Sequence, residues 1–230
     1  QEMNAFSAAL RAVDYDLILD TQGLYKSAVI ARMARGCIVG GDRNSIKEGG
    51  AALFYNKRLT ISRARHVIDR CRAVGAGALG YAIDTPRVFG IQAEPLKADW
   101  LPNAPYCVLM HAASRPEKLW SEDYWVALGR HLHERGMFAA LPWGSREEQA
   151  RSARLAALIP GAVVPPLMGL DVAAHFLAGA RVVVGLDTGF THFAASLSRP
   201  TIGIFCDSDG EQAAVQGGAY CERFGKKGQP

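Results

Sequence analysis

Short apolar runs alternate with amphipathic stretches along most of the chain, the pattern of strands alternating with helices. The periodicity predicts an amphipathic helix over Gln1 to Val13 and a strand over Tyr15 to Asp20. Thr21 to Gly23 supplies a turn. Leu24 to Arg35 follows as a helix, with Leu24, Ala28, Ala31 and Ala34 near one face and Gly36 as its stop. Cys37 to Val39 is a second strand closed by Gly40 and Gly41, and this βαβ unit implies parallel strands. Asp42 to Gly50 is a polar loop and Ala51 to Tyr55 a short apolar stretch. The spacing of Ala64, Val67, Ile68, Cys71 and Val74 then predicts a helix over Ser62 to Val74. Gly75 to Gly80 matches G-x-G-x-x-G. A dinucleotide fingerprint needs a strand before it and a helix after it; here a helix precedes and a loop with Pro86 follows, so the run reads as a helix stop and turn.

Four prolines between Thr85 and Pro105 mark a linker, dividing the chain into an N-terminal lobe (1–94), a linker (95–105) and a second α/β domain (106–230). That domain opens with a strand, Tyr106 to Met110, and a loop, His111 to Trp120. Ser121 stands as N-cap of a helix over Glu122 to Arg135, stopped by Gly136. Strands follow at Met137 to Leu141, Ala162 to Val164, Arg181 to Leu186 and Thr201 to Phe205. Between them lie helices over Glu147 to Ile159, Asp171 to Ala178 and Phe190 to Leu197. Such alternation predicts a doubly wound parallel sheet, whose ligands bind beyond the carboxyl ends of the strands. The loops at those ends carry Ser114 and Lys118, Trp143 to Glu148, Met168, and Asp187 to His192.

Composition changes little. With 49% apolar and 21% charged residues, the 230-residue chain can bury a core and is ordinary for a globular protein. No apolar run approaches the roughly 18 residues of a membrane-spanning helix, and no signal peptide is visible. The five cysteines are odd in number and scattered, which points to reduced thiols in a cytoplasmic protein and not to a disulfide frame or zinc site. Charge matters through its distribution. Lys57 to Arg72 holds six basic residues (57, 58, 63, 65, 70 and 72) against Asp69 alone, a solvated helix face or a surface for an anionic partner.

The candidate chemistry gathers at Asp187-Thr188-Gly189-Phe190-Thr191-His192, where a buried strand delivers an acid, a hydroxyl and a glycine to a helix N-terminus. The first helical N–H groups lack partners within the helix, which makes an anion site. Lys118 on the same rim adds a second anion-stabilising element. Ser114 can donate to a phosphate or close a turn. Asp187 can cap the helix or bind sugar hydroxyls, and His192 can pack or donate to a phosphate or sugar oxygen. Glu147 and Glu148 suit a first helical turn, and one of them could hold a ribose diol. Asp207 and Asp209 read as loop acids, a weak basis for a metal site.

Four separated stretches carry a resemblance: Asp20 to Ser27 (D-T-Q-G-L-Y-K-S), Leu53 to Asn56 (L-F-Y-N), Leu141 to Gly144 (L-P-W-G) and Asp187 to His192 (D-T-G-F-T-H). Together they resemble the lipopolysaccharide heptosyltransferase I family, from about Tyr15 to Phe205. The resemblance implies a GT-B-like α/β fold of two Rossmann-like lobes with parallel sheets. It implies inverting transfer of L-glycero-D-manno-heptose from ADP-heptose to Kdo-lipid A in the lipopolysaccharide inner core. Neither metal nor cofactor nor nucleic acid is implied, and peripheral contact with the cytoplasmic face of the inner membrane is. Residue by residue, Ser114, Lys118, Thr188 and Gly189 would face the diphosphate, Glu148 the ribose, Met168 the adenine and Asp187 the heptose, with His192 nearby. Lys118, Asp187 and His192 are the implied catalytic residues. Ala113 stands where the family often has a hydroxyl. Lys47 matches a basic position that meets the anionic acceptor, and Lys57, Arg58 and Arg63 would join it. The family's opening K-x-S-x-x-G-D loop, whose Asp is taken as general base, has no counterpart here, so the N-terminal lobe is expected to be incomplete. Cys206 to Pro230 departs from the family pattern. Competing expectations are another nucleotide-sugar enzyme of this fold, such as an epimerase, and a donor-binding module without catalysis. A nicotinamide dehydrogenase is disfavoured by the misplaced glycine motif.

Overall fold

Each of two units, Gln1–Pro86 and Arg87–Pro230, builds helices onto its own parallel sheet in the computed structural model, which describes residues 2–206, 214–217 and 221–225. In the first unit, α1 (Glu2–Arg11), β1 (Asp14–Asp20), α2 (Tyr25–Met33) and β2 (Arg35–Gly41) follow the predicted order. A 3-10 helix (Gly49–Phe54), β3 (Lys57–Leu59) and α3 (Val67–Leu79) complete it, and the parallel sheet runs β1-β2-β3. Its core is small: Ala28, Ala31, Ile38, Ile46, Ala51, Ala52 and Tyr55 form one buried cluster. At the end of β1 the buried Asp20 acts as a hub. Its Oδ1 accepts from the N–H groups of Gln22 and Gly23 at 2.9 and 3.1 Å, and its Oδ2 accepts from Ser27 Oγ and Tyr55 OH, both at 2.8 Å. The D-T-Q-G turn is therefore fixed by one carboxylate.

The basic stretch differs from the expected helix. Lys57 and Arg58 lie on β3, a strand of three residues that only pairing with β2 defines. Arg63 precedes α3, which starts at Val67 because His66 caps it: His66 Nδ1 accepts from Ile68 N–H at 3.2 Å. The helix then continues through Gly75 and Gly77 and stops at Gly80, which is left-handed at φ 78°. Gly77 serves packing: a Cβ there would come within 2.8 Å of Leu59 Cδ1, so α3 can approach β3 only without one.

The second unit contains β4 (Tyr106–Met110), a 3-10 turn (Pro116–Lys118), α4 (Glu122–Glu134), β5 (Phe138–Ala140) and α5 (Arg146–Leu158). It continues with α6 (Leu170–Ala178), β6 (Val182–Leu186), α7 (Gly189–Ser196), β7 (Thr201–Ile204) and β8 (Cys221–Phe224). The parallel sheet runs β5-β4-β6-β7-β8, doubly wound as the alternation predicts. Two buried clusters carry its core. One centres on Leu109, Trp125, Leu141, Leu155 and Leu186, the other on Tyr106, Val108, Phe176, Leu177 and Val183. Ala162 to Val164 contributes only a bridge, Val163 to Ala140, instead of a strand. Ser121 occupies the N-cap position of α4 without a capping bond, whereas Ser145 caps α5 by accepting from Glu148 N–H at 3.2 Å.

The proline-rich segment is no free linker. Ala93, Leu96, Trp100 and Leu101 pack against the Tyr106–Phe176 cluster, and Leu96 N–H donates to His175 O at 2.9 Å. The division between units accordingly falls at Pro86/Arg87, ahead of the expected 94/95, because apolar side chains after Arg87 find their burial in the second unit. Among the described residues no helix is long and apolar enough to cross a membrane.

Candidate functional site

A cavity of about 590 Å³ opens at the carboxyl ends of β4, β5 and β6. Its lining runs across the sheet in strand order. Next to β5 stand Pro142, Trp143, Gly144, Ser145 and Glu148, with Met168 beyond the Val163 bridge. After β4 come Ala112, Ala113 and Ser114, and after β6 come Asp187, Thr188, Gly189 and Phe190. The loops that the topology brings together are thus the expected ones, although they are far apart in sequence.

The β6 side is built for negative charge. Thr188 N-caps α7 with its backbone, and its hydroxyl lies 3.2 Å from that of Thr191. Thr191 Oγ1 donates to Leu186 O at 2.7 Å, tying the first turn of α7 to the end of β6. Gly185 permits this closeness: a Cβ there would collide with Thr191 Oγ1 and sit 2.7 Å from Met110 Cβ. The N–H groups that open α7 therefore point from a fixed turn, with the helix dipole behind them. A Cβ added to Gly189 would meet nothing within 4 Å, so the backbone at the rim is approachable.

Asp187 joins a cation and an imidazole. Its Oδ2 accepts from Lys118 Nζ at 2.7 Å, and its Oδ1 lies 3.3 Å from His192 Nε2. Lys118 Nζ also sits 3.5 Å from Asp187 O. Lys118 and His192 both stand with the carboxylate in one half-buried niche. Asp187 lines the cavity, and Lys118 and His192 reach its rim through Asp187 without being part of the lining. Lys118 arrives by the 3-10 turn after β4, and His192 by the first turn of α7.

The β5 side is more apolar. Trp143 is held by its indole N–H, which donates to Pro165 O at 2.8 Å. Glu148 is already engaged: its Oε2 accepts from Gly144 N–H at 2.7 Å, which closes the L-P-W-G turn against the start of α5, and the residue lines the cavity. Ser114 is exposed at the rim, and Met168 is half-buried. Met110, Phe190 and Ala173 also line the cavity without a chemical signal in the sequence. Only Phe190, adjacent to Gly189, could have been named from its place in the turn.

The basic candidates belong to the first unit. Lys47, Lys57, Arg58 and Arg63 are exposed there. Lys57 Nζ donates to Gly77 O at 2.7 Å, and from the same basic stretch Arg70 and Arg72 donate to Ser45 O and Thr85 O at 3.0 and 2.7 Å. Part of that positive charge thus closes helix and loop carbonyls. Among the described residues no group of three or more His, Cys, Asp or Glu is arranged to hold a metal ion; Asp207 and Asp209 lie outside those residues.

Residues 3–220 match glycosyltransferase family 9 (heptosyltransferase). The lipopolysaccharide heptosyltransferase 1 of Pseudomonas aeruginosa is 40% identical over 206 residues, covering 89% of this chain and 58% of that protein. Across the curated heptosyltransferase relatives it matches, the chain spans 58–66% of their length. Among solved structures, the E. coli heptosyltransferase WaaC with ADP superposes with a TM-score of 0.82 at 34% identity, over 99% of this chain and 72% of that one. The same enzyme with ADP-2-deoxy-2-fluoro heptose gives 0.77 at 34% identity, over 93% and 72%. The two parallel α/β units match the GT-B-like fold expected from the motifs.

Proposed function

The chain belongs to glycosyltransferase family 9, the heptosyltransferases, and from that premise we propose that it transfers L-glycero-D-manno-heptose from ADP-heptose to Kdo-lipid A, inverting the anomeric centre, in the lipopolysaccharide inner core. The observation that carries this is the graded cavity of the second unit. Apolar Trp143 and Met168 with Glu148 suit a nucleoside next to β5, and the α7 N-terminus with the Lys118–Asp187–His192 cluster suits a diphosphate and its sugar after β6. ADP and an ADP-heptose analogue are the ligands named for the related WaaC structures.

In the proposed reaction the acceptor hydroxyl attacks the anomeric carbon as the bond to the diphosphate breaks, and its proton passes to a general base, a role assigned to no residue of this chain. Negative charge grows on the departing ADP. Fixed donors aimed at that charge stabilise it most in the transition state. Thr188 and Gly189 supply N–H groups from α7, and Ser114 a hydroxyl. Lys118, half-buried and held by Asp187, bridges that carboxylate to a phosphate, so the two acidic groups are separated by a cation. Asp187 then has an oxygen for a heptose hydroxyl, with His192 fixing its orientation. Glu148 receives the ribose and Met168 the adenine. None of these steps uses a metal. Lys47, Lys57, Arg58 and Arg63 would meet the anionic acceptor at the cytoplasmic face of the inner membrane.

ADP is expected to raise the thermal unfolding temperature of the second unit, and Lys118→Ala to abolish the rise. In the intact enzyme, losing one such donor lowers transfer by about 10²–10³-fold. A stronger response to a uridine or guanosine nucleotide than to ADP would overturn the adenosine assignment and favour another nucleotide-sugar enzyme of this fold.

A further inference from the structure

His111 directly follows β4 and is completely buried, yet it does not line the cavity. Its Nε2 lies 2.9 Å from Ser152 Oγ, and Ser152 on α5 is completely buried too. Both residues stand directly behind the lining. His111 joins Met110 to Ala112, Ala113 and Ser114. Ser152 lies one helical turn beyond Glu148 on the same face of α5. Leu155, Ala156 and the capping Ile159 pack the far half of that helix into the core, and Arg151 and Arg154 pair with Glu122 of α4 at 3.7 and 2.7 Å. The near half, which carries Glu148 and the closed L-P-W-G turn, is held to the sheet by the His111–Ser152 bond and to the next loop by Arg151, which donates to Trp120 O at 2.8 Å.

Resting on the assignment of this cavity to a nucleotide-sugar, we infer that the His111–Ser152 hydrogen bond positions the nucleoside rim on α5 against the phosphate rim after β4 and thereby sets the affinity for a nucleoside diphosphate. His111 is a positioning residue that touches no ligand. The bond suits a neutral imidazole: burial, together with Arg151, moves His111 down to about 4, Glu122 on α4 opposes this, and Arg154 adds to it weakly. Its Nδ1 has no hydrogen-bond partner beyond its own backbone among the described residues, so a charged imidazole would be poorly compensated there.

The test is ADP binding by the whole chain, measured by calorimetry at pH 7.5 and again down to pH 4. Ser152→Ala and His111→Leu are expected to weaken ADP about 5- to 20-fold, and their double variant no more than the stronger single one. His111→Gln, whose amide nitrogen replaces Nε2, is expected to restore binding to within about threefold. It should also lack the extra weakening expected of the unaltered chain as pH approaches 4. If ADP binds the natural chain and both broken variants equally, with only their melting temperatures lowered, the pair is merely structural and the inference falls. If ADP fails to bind the natural chain, the assignment of the cavity itself fails. Ser152→Ala keeps the test decisive should His111→Leu not fold.

Discussion

The two units solve the same architectural problem with different means. In the second, a five-stranded sheet carries two buried clusters, and large side chains such as Trp125, Phe176, Leu109 and Leu141 are completely covered. In the first, a three-stranded sheet covers mostly alanines, while Leu19, Val29, Ile30 and Leu53 remain 41–77% exposed. Burial of large apolar side chains, at about 1.5–3 kcal/mol each, therefore dominates one unit. A hydrogen-bonded carboxylate, Asp20, organises the other. The difference explains where a rigid binding site can be placed. A cavity of fixed shape needs walls anchored in a packed core, and the second unit supplies them.

The largest expected effect tests that contrast directly. Phe176→Ala removes a ring stacked on Tyr106 at 5.5 Å and close to Trp100 at 5.8 Å. It should cost the second unit about 4 kcal/mol and abolish ADP protection, while hydrogen exchange in β1 and β2 stays unchanged. Asp20→Ala is the converse. Stranding Tyr55 OH, Ser27 Oγ and two N–H groups should destabilise the first unit by about 3 kcal/mol and leave ADP affinity in the second within twofold. If either substitution melts both units together, their stabilities are not separable and the contrast breaks.

Acid should act on the second unit in particular. The folded pKa of His111, about 4, lies below its ordinary 6.5. As pH falls the unfolded chain takes up the proton first. The stabilisation is complete above about 6.5 and is lost as pH falls to about 4, a loss of order 2–3 kcal/mol. Denaturant midpoints between pH 7 and 4, compared with those of His111→Gln, measure it; equal slopes would show another group responsible. The smallest stability change belongs to the first unit's surface. Arg58→Ala and Arg63→Ala should shift stability by less than about 0.5 kcal/mol. If these residues meet the acceptor, the variants should still raise the KM for Kdo-lipid A in the intact enzyme without changing ADP affinity.

Legibility follows the same division. β4, β6, α4, α5 and α7 could be read from the sequence to within a residue or two, because each is long or apolar enough to declare its period and bears a stop or cap at its end. Burial on both faces made Tyr106 to Met110 and Val182 to Leu186 unmistakable. β3 and β8 were hidden because Lys57, Arg58, Glu222 and Arg223 leave them no apolar run, whereas β5 and β7, equally short, are apolar enough to be read. α3 was displaced because Ala64 fits the helical spacing of Val67, Ile68, Cys71 and Val74, whereas the His66 cap sets its start. The glycines at 75 and 77 suggested a stop where packing against Leu59 required a small residue inside the helix.

In the site, the sequence alone determined which residue types stand at the strand ends: the helix that begins at Gly189, the cation at Lys118, the acid at Asp187 and the glutamate at Glu148. These follow from local patterns, since strand, turn and helix start are set by neighbours in the chain. Tertiary structure alone decided their partners. It made Asp187 the common partner of Lys118 and His192, occupied one Glu148 oxygen with Gly144, added Phe190, Met110 and Ala173 to the wall, and set His111 against Ser152. Lys118 and Ser152 lie tens of residues from the Asp187 and His111 they meet, and only the packed sheet brings such groups within about 3 Å of each other; His192 and Gly144 are near in sequence, but whether a carboxylate turns to them depends on the niche around it.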